Sequence, residues 1–430
     1  MRKIFLTILG LFAVSISNAQ QTPGDNQTKN IIINNCFIHI GNGNTIKDGA
    51  VSFFDGKLTY VGKSVILNDT LKGESIIIDA NGKHLYPGFI AANSTLGLVE
   101  IDAVRSTRDL DELGDFLPHI RSLVAYNAES KIIESVRPNG VLIAQVSPRG
   151  GIISGKSSIM QLDAWNWEDA VIKIDEGVHL NWPSPYLMDY KKRTLKKNKN
   201  YSKSITSIND FFNESKVSNS KTKLNLPYEA MKGIYSELET VYLHANYEKQ
   251  IVDGVSFLKT QKIKNIVLVH GEESESQIDF LKKHNIPIIL SKPHRLPRDE
   301  DLDPNYPYKL AKRLIDKGLL LSIDLSGSME RTNTRNLPFF AGSFAAYGLS
   351  KEQALKLITL NAAKILKIDK NFGSIEVGKS ATLFLSDGDA LDMQTNNISH
   401  AYINGRKISL DTHQSKLWKR YSRKYKYQQD

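Results

Sequence analysis

Three apolar runs in this chain end in residues that bind metals or move protons. Val241-Tyr242-Leu243 leads into His244, Ile266-Val267-Leu268-Val269 into His270, and Leu319-Leu320-Leu321-Ser322-Ile323 into Asp324. Neutral imidazole and carboxylate are the ligands that a zinc- or iron-type ion prefers. Asp324 is also a candidate catalytic base, able to take the proton of an attacking water. If the runs are parallel strands of one barrel, their ends share a rim although they lie far apart in sequence. A single strand-end histidine is more often a hydrogen-bonded structural residue; three such ends in order make a site an equal alternative.

A fourth run, Leu85–Gly97, leaves a Pro-Gly turn and has a polar end, which predicts a strand over Gly88–Thr95. Side chains two apart point the same way from a strand, so this end suits a pair of metal-binding histidines. It carries Asn93 and Thr95 instead. Arg149, in the glycine-rich loop Pro148-Arg149-Gly150-Gly151, and Arg335 are candidate partners for a substrate carboxylate. For both, a loop arginine that caps backbone carbonyls is the equal alternative. Trp165 and Trp167 suit core packing, with an aromatic pocket wall as the alternative. No nucleophile–histidine–acid triad and no nucleotide loop is evident.

The elements that must position these residues alternate. From Gly88 onward, strand candidates at Gly88–Thr95, Val141–Ser147, Ser158–Leu162, Gly177–Trp182, Val241–Ala245, Asn265–His270, Ile286–Leu290 and Leu319–Asp324 are interspersed with helical segments such as Ala128–Val136 and Ser274–His284. That pattern predicts an α/β fold, a (β/α)8 TIM-like barrel over 86–372, although an open sheet shares the periodicity. A basic insertion at 183–224 interrupts it, predicted as a helical or mobile excursion over the mouth. Short strands and turns at 30–85, including the hairpin signal Asp55-Gly56, return in kind at 373–410. Neither arm is large enough for its own core, so the two are expected to meet in one composite β-sandwich.

The chain has 430 residues, 41% hydrophobic and 24% charged, ordinary values for a globular protein. Arg2 and Lys3, the apolar run Ile4–Ile16 and Ser17-Asn18-Ala19 read as a secretory signal peptide over 1–19, before a flexible leader at 20–29. About 13 apolar residues fall short of the roughly 20 that span a bilayer. The mature protein is therefore expected to be exported, periplasmic or secreted. Cys36, the single cysteine, reads as a buried small hydrophobe. The net charge of +10 gathers at 191–203 and in a basic tail at 411–430, where Trp418, Tyr421, Tyr425 and Tyr427 are interleaved. Export makes nucleic acid an unexpected partner. A solvated loop and helix are the plain reading, and contact with an anionic surface the sharper one.

The chain resembles the amidohydrolase superfamily in its imidazolonepropionase-like branch over nearly the whole mature length. The marks are Tyr86-Pro87-Gly88-Phe89-Ile90, Pro148-Arg149-Gly150-Gly151, strand-end His244, His270-Gly271, Asp324, Gly348-Leu349-Ser350-Lys351-Glu352-Gln353-Ala354-Leu355, Thr359-Leu360-Asn361-Ala362-Ala363 and Gly373-Ser374-Ile375-Glu376-Val377-Gly378-Lys379. The resemblance implies a barrel with a split sandwich, and hydrolysis of non-peptide carbon–nitrogen bonds in cyclic amides or amino-acid derivatives. Bound divalent ions supply hydroxide to that chemistry. It also implies that His244, His270 and Asp324 are ligands, and that Asn93 and Thr95 stand where a His-x-His pair belongs. An amide and a hydroxyl are weak ligands for such an ion. The expectation is one weakly held zinc-type ion or none, and a hydrolase with a reduced site acting on a small molecule. A barrel that binds a small molecule or partner without turnover is the alternative.

Overall fold

The computed structural model describes residues 22–64, 75–189, 191, 194–218, 224–299, 301–327 and 329–425. The expected signal peptide lies outside these residues, as do Lys192, Arg193, Lys426 and Tyr427 of the basic clusters.

The first arm forms β1 (Asn30–His39), β2 (Thr45–Phe54), β3 (Lys57–Lys63), β4 (Ser75–Asp79) and β5 (His84–Pro87). Asp55 and Gly56 both take positive φ between β2 and β3, the geometry of a two-residue hairpin turn. After β5 the chain enters β6 (Phe89–Ser94), β7 (Val141–Val146), β8 (Ile153–Gln161) and β9 (Val171–Asn181). A hairpin, β10 (Tyr186–Asp189) with β11 (Thr194–Lys197), and the helix Tyr201–Val217 fill the insertion. β12 (Thr240–Ala245), β13 (Ile266–His270), β14 (Ile288–Ser291) and β15 (Leu321–Asp324) follow, and the second arm supplies β16 (Leu383–Ser386), β17 (Ile398–Ile403) and β18 (Arg406–Lys407).

Both arms enter one eight-stranded sheet, in the order β18-β17-β16-β5-β1-β2-β3 with β4 beside β1. β16 lies antiparallel to β5, so the second arm is stitched to the strand that leads into the barrel. Ile33, Cys36, Ile38, Val51, Phe53, Leu385 and Tyr402 share its core. Burial raises the Cys36 thiol to about 12, so it stays protonated and inert.

The barrel closes as β6-β7-β8-β9-β12-β13-β14-β15. One strand departs from the expected (β/α)8 order. β8 runs antiparallel to both β7 and β9, whereas the other adjacent pairs are parallel. The cause is connection length. The stretch from Val146 to Ile153 is a loop, and that from Gln161 to Val171 holds only the short helix Trp167–Ala170. Neither can carry a crossover helix, so the strands pair as neighbours in hairpins. Trp165 on the second connection is exposed, and Trp167 is partly buried against the barrel core. The insertion helix packs Phe211 flat on Phe116, with ring centroids 4.6 Å apart, and sets Phe212 edge-on to Phe257.

Candidate active site at the barrel mouth

The rim at β6 is closed by hydrogen bonds. Asn93 sits at φ 49°, the left-handed region that asparagine tolerates better than most residues, which turns the strand end sharply. Its amide nitrogen donates to Asp324 Oδ1 at 3.0 Å. Its side-chain and backbone oxygens accept from Arg149 Nη1 and Nη2 at 3.0 and 2.7 Å. Beside it, Glu330 accepts from the Ser94 hydroxyl, the Thr95 amide and the Thr95 hydroxyl at 2.8, 2.9 and 2.8 Å, and from Arg149 at 3.3 Å. Asn93 and Thr95, where the resemblance leads one to expect a His-x-His pair, are thus hydrogen-bonded to the Arg149–Glu330 ion pair. Below them the Asn93 backbone N–H donates to Gln145, which donates to Glu176. Burial pushes the Glu176 carboxyl up despite hydrogen bonds from Ser157, Gln145 and Tyr242.

The opposite rim is a row of imidazoles ending on a carboxylate. His179 Nδ1 lies 2.9 Å from His244 Nε2, His244 Nδ1 lies 3.2 Å from His270 Nε2, and His270 Nδ1 lies 2.7 Å from Asp324 Oδ2. Asp324 also accepts from the Ser326 hydroxyl at 2.6 Å and the Ser326 amide at 3.0 Å. Burial opposes its ionisation, yet His270, through its charge when protonated and its hydrogen bond, and the two bonds from Ser326 hold it at about 2. Burial, helped by the Arg149 charge, pushes His179 and His244 well below the ordinary range, so both are neutral. With Asp324 ionised and all three imidazoles neutral, the tautomers follow in sequence. His270 donates from Nδ1 and accepts at Nε2 from His244, which accepts at its own Nε2 from His179. His179 Nε2 is left as a buried atom without a partner among the described residues.

His244, His270 and Asp324 therefore come together, and Arg149 with them. Arg335 does not. It is exposed on the turn Thr334–Asn336, where its carbonyl accepts from Asn139, just before β7 and so at the far end of that strand from the rim. His179, Glu330 and Ser326 belong to the site and were not anticipated. His270 itself has φ 77°, a strained value for a bulky side chain and a common mark of functional strand ends.

A metal ion needs lone pairs that converge on a point. Here the donors lie in a line, because His270 turns opposite edges to His244 and to Asp324. Asn93 offers Asp324 an N–H rather than an oxygen, and the Arg149 guanidinium covers its oxygens. No group of three or more His, Cys, Asp or Glu is arranged to hold a metal among the described residues. The donor set as placed does not fit an ion.

Comparison with known proteins places the fold. The sequence model of the Amidohydrolase family matches residues 239–408. An imidazolonepropionase from Picrophilus torridus is 35% identical over 107 residues, 24% of this chain and 27% of that protein. One from Caldanaerobacter subterraneus is 32% identical over 138 residues, 31% of this chain and 32% of that protein. The matched stretches thus span about a third or less of these curated relatives. The crystal structure of an amidohydrolase from Thermotoga maritima superposes with a TM-score of 0.76 at 23% identity, covering 88% of this chain and 99% of that one.

Proposed function

We propose, from the premise that this chain belongs to the amidohydrolase superfamily in its imidazolonepropionase-like branch, that its barrel mouth hydrolyses a non-peptide carbon–nitrogen bond. The substrate class is a small cyclic amide or amino-acid derivative. The observation that carries the reading is the His270–Asp324 pair, an imidazole held by a buried, ionised carboxylate at the end of a barrel strand. Such a pair acts as a general base without an ion. A water reaching His270 Nε2 competes with the 3.2 Å contact to His244, the longest in the row. It gives up its proton there, and Asp324 stabilises the imidazolium that forms. Arg149, its Nη atoms engaged by Asn93 and Glu330, places a fixed positive charge beside the rim for a developing oxyanion. Export belongs to the same proposal. So does contact of the helix His413–Tyr425, with its exposed Trp418, Tyr421 and Tyr425, with an anionic surface.

One observation favours the second reading, a barrel that binds without turnover: most polar groups of the mouth are already satisfied by one another. A single assay separates the two. The purified protein is incubated with a panel of cyclic amides, with chelator and with added zinc, beside His270→Asn. Turnover that survives chelation and falls at least about a hundredfold in the variant is expected for general-base loss. Saturable binding without turnover supports the second reading, and turnover only with added zinc returns the chemistry to an ion.

A further inference from the structure

Two arms of opposite charge leave the rim beside the glycine-rich loop Pro148-Arg149-Gly150-Gly151. The acidic arm is Asp109-Leu110-Asp111-Glu112-Leu113-Gly114-Asp115. Its backbone is fastened at both ends: the Arg149 N–H donates to the Leu110 carbonyl at 2.6 Å, and those of Ile152 and Ile153 to the Asp115 carbonyl at 2.7 and 2.8 Å. Gly151, at φ 59°, allows this approach, because a Cβ there would lie 2.8 Å from the Gly114 carbonyl oxygen. The basic arm is the hairpin β10–β11 with the residues that follow it, and it carries Lys196, Lys197, Lys199 and Lys203. It starts shortly beyond Asn181, whose side-chain amide donates to the Gly151 carbonyl at 2.9 Å.

Neither arm is satisfied within the chain. Asp109, Asp111, Glu112 and Asp115 are exposed and have no ion-pair partner among the described residues, whereas Asp102 of the same loop is held by Arg331. The four lysines are exposed too, and among the described residues the one carboxylate that pairs with them is Asp189, 3.8 Å from Lys196. Both arms also show apolar surface. Leu113 is 90% exposed in the acidic arm. On the hairpin, Tyr186, Met188 and Leu195 share one face by register and are 38%, 47% and 51% exposed. β10 and β11 pair with no other strand among the described residues. A lone two-stranded hairpin is marginally stable in water, and a cluster of exposed apolar side chains rimmed by charge marks a contact surface.

Charge decides between the surfaces that could cover them. An anionic bilayer attracts the lysines but repels the four carboxylates set beside them, so the rim as a whole gains little there. A second copy of the same rim matches both signs. When a positive and a negative patch lie side by side on one face, a two-fold axis between them brings each onto its opposite in the partner. We propose that this rim pairs with the rim of a second copy of the chain, hairpin on acidic arm, twice across one two-fold axis. The opposite charges steer encounter and fix register, and Leu113 with the hairpin face supplies the apolar contact. The pairing uses neither side chain of the His270–Asp324 pair, so its failure leaves the hydrolytic reading standing.

Analytical ultracentrifugation of the full chain, with charge reversals, tests the pairing. The wild-type protein is expected to dimerise, and the dimer to weaken as salt rises. Lys196→Glu, Lys197→Glu and Lys199→Glu together make both arms negative; Asp109→Lys, Asp111→Lys and Glu112→Lys together make both positive. Each triple variant alone should dimerise at least about tenfold more weakly than the wild type. Mixed in equal amounts, the two should form a heterodimer, because the facing arms are again opposite in sign. A wild-type chain that stays monomeric at about 100 µM overturns the proposal, as does a dimer indifferent to salt or to the reversals. So do variants that keep the wild-type circular dichroism yet fail to combine. A monomeric wild type that instead binds vesicles of phosphatidylglycerol and phosphatidylcholine through the hairpin would assign the rim to a bilayer and overturn it too.

Discussion

Two imidazole rows, His270 with Asp324 and His244 in the mouth and His39 with Glu352 and His84 where β1 and β5 meet the helix Lys351–Leu357, repeat one arrangement and differ at one atom. In each, a histidine gives Nδ1 to a carboxylate and Nε2 to a second histidine, at 2.7 and 3.2 Å in the mouth and at 2.6 and 2.9 Å beside the sheet. Asp324 has both oxygens engaged, by Asn93, Ser326 and His270, whereas Glu352 Oε2 has no partner among the described residues. Asp324 is 1% exposed as a side chain and Glu352 21%. A saturated carboxylate fixes what surrounds it; one that accepts a single hydrogen bond at a partly exposed position fixes less.

The largest effect that sharpens this contrast is on Asp324. Asp324→Ala strips the acceptor from Asn93, Ser326 and His270 at a buried position, and breaking a buried pair of this kind costs about 3–5 kcal/mol. Denaturant unfolding reads it directly. A loss below about 1 kcal/mol would mean that the row is not formed, and the comparison would fail at its first term. Next comes pH. The folded carboxyl titrates at about 2, below its ordinary 3.8, so its contribution is complete above the ordinary value and fades as pH falls toward 2. At 1.36 kcal/mol per unit that contribution is roughly 2 kcal/mol. The stability gap between wild type and Asp324→Ala should therefore narrow by about that amount on going from about pH 5 to about pH 2. A constant gap would mean that Asp324 is not ionised when folded.

Much of the mouth was legible in the sequence because a strand that ends on a polar residue announces its own rim position. His244, His270 and Asp324 each close an apolar run, and they adjoin as that pattern implies. His179 was hidden inside a strand. Alternation puts residues 177, 179 and 181 on one face, so a histidine among apolar neighbours carried a usable signal. Gly177 strengthens it, since a Cβ there would lie 2.4 Å from the Tyr242 ring that His179 stacks against. Glu330 follows Ser326-Gly327-Ser328-Met329, a stretch without periodicity, and only tertiary contact brings it to Thr95. The reversed direction of β8 was available from arithmetic, because the flanking connections are too short for a crossover helix. Arg335 misled because residue type and nearness to β15 in sequence say nothing about which end of the barrel a loop reaches.

The smallest effect tests the other carboxylate. Glu352 stands in the first turn of Lys351–Leu357, where a negative charge favours the helix, and it accepts one hydrogen bond, from His39. Glu352→Ala removes both contributions at a partly exposed site, where solvent screens them, and should cost about 1 kcal/mol. No buried donor other than the His39 N–H is stranded by the change, unlike the several stranded at Asp324. The two alanine variants, unfolded side by side in the same denaturant, therefore measure the difference between a satisfied and an open carboxylate. If Glu352→Ala proves as costly as Asp324→Ala, the row beside the sheet is a structural tie like the one in the mouth. If it is cheap, the His39–Glu352 contact is a partly exposed tie that solvent screens.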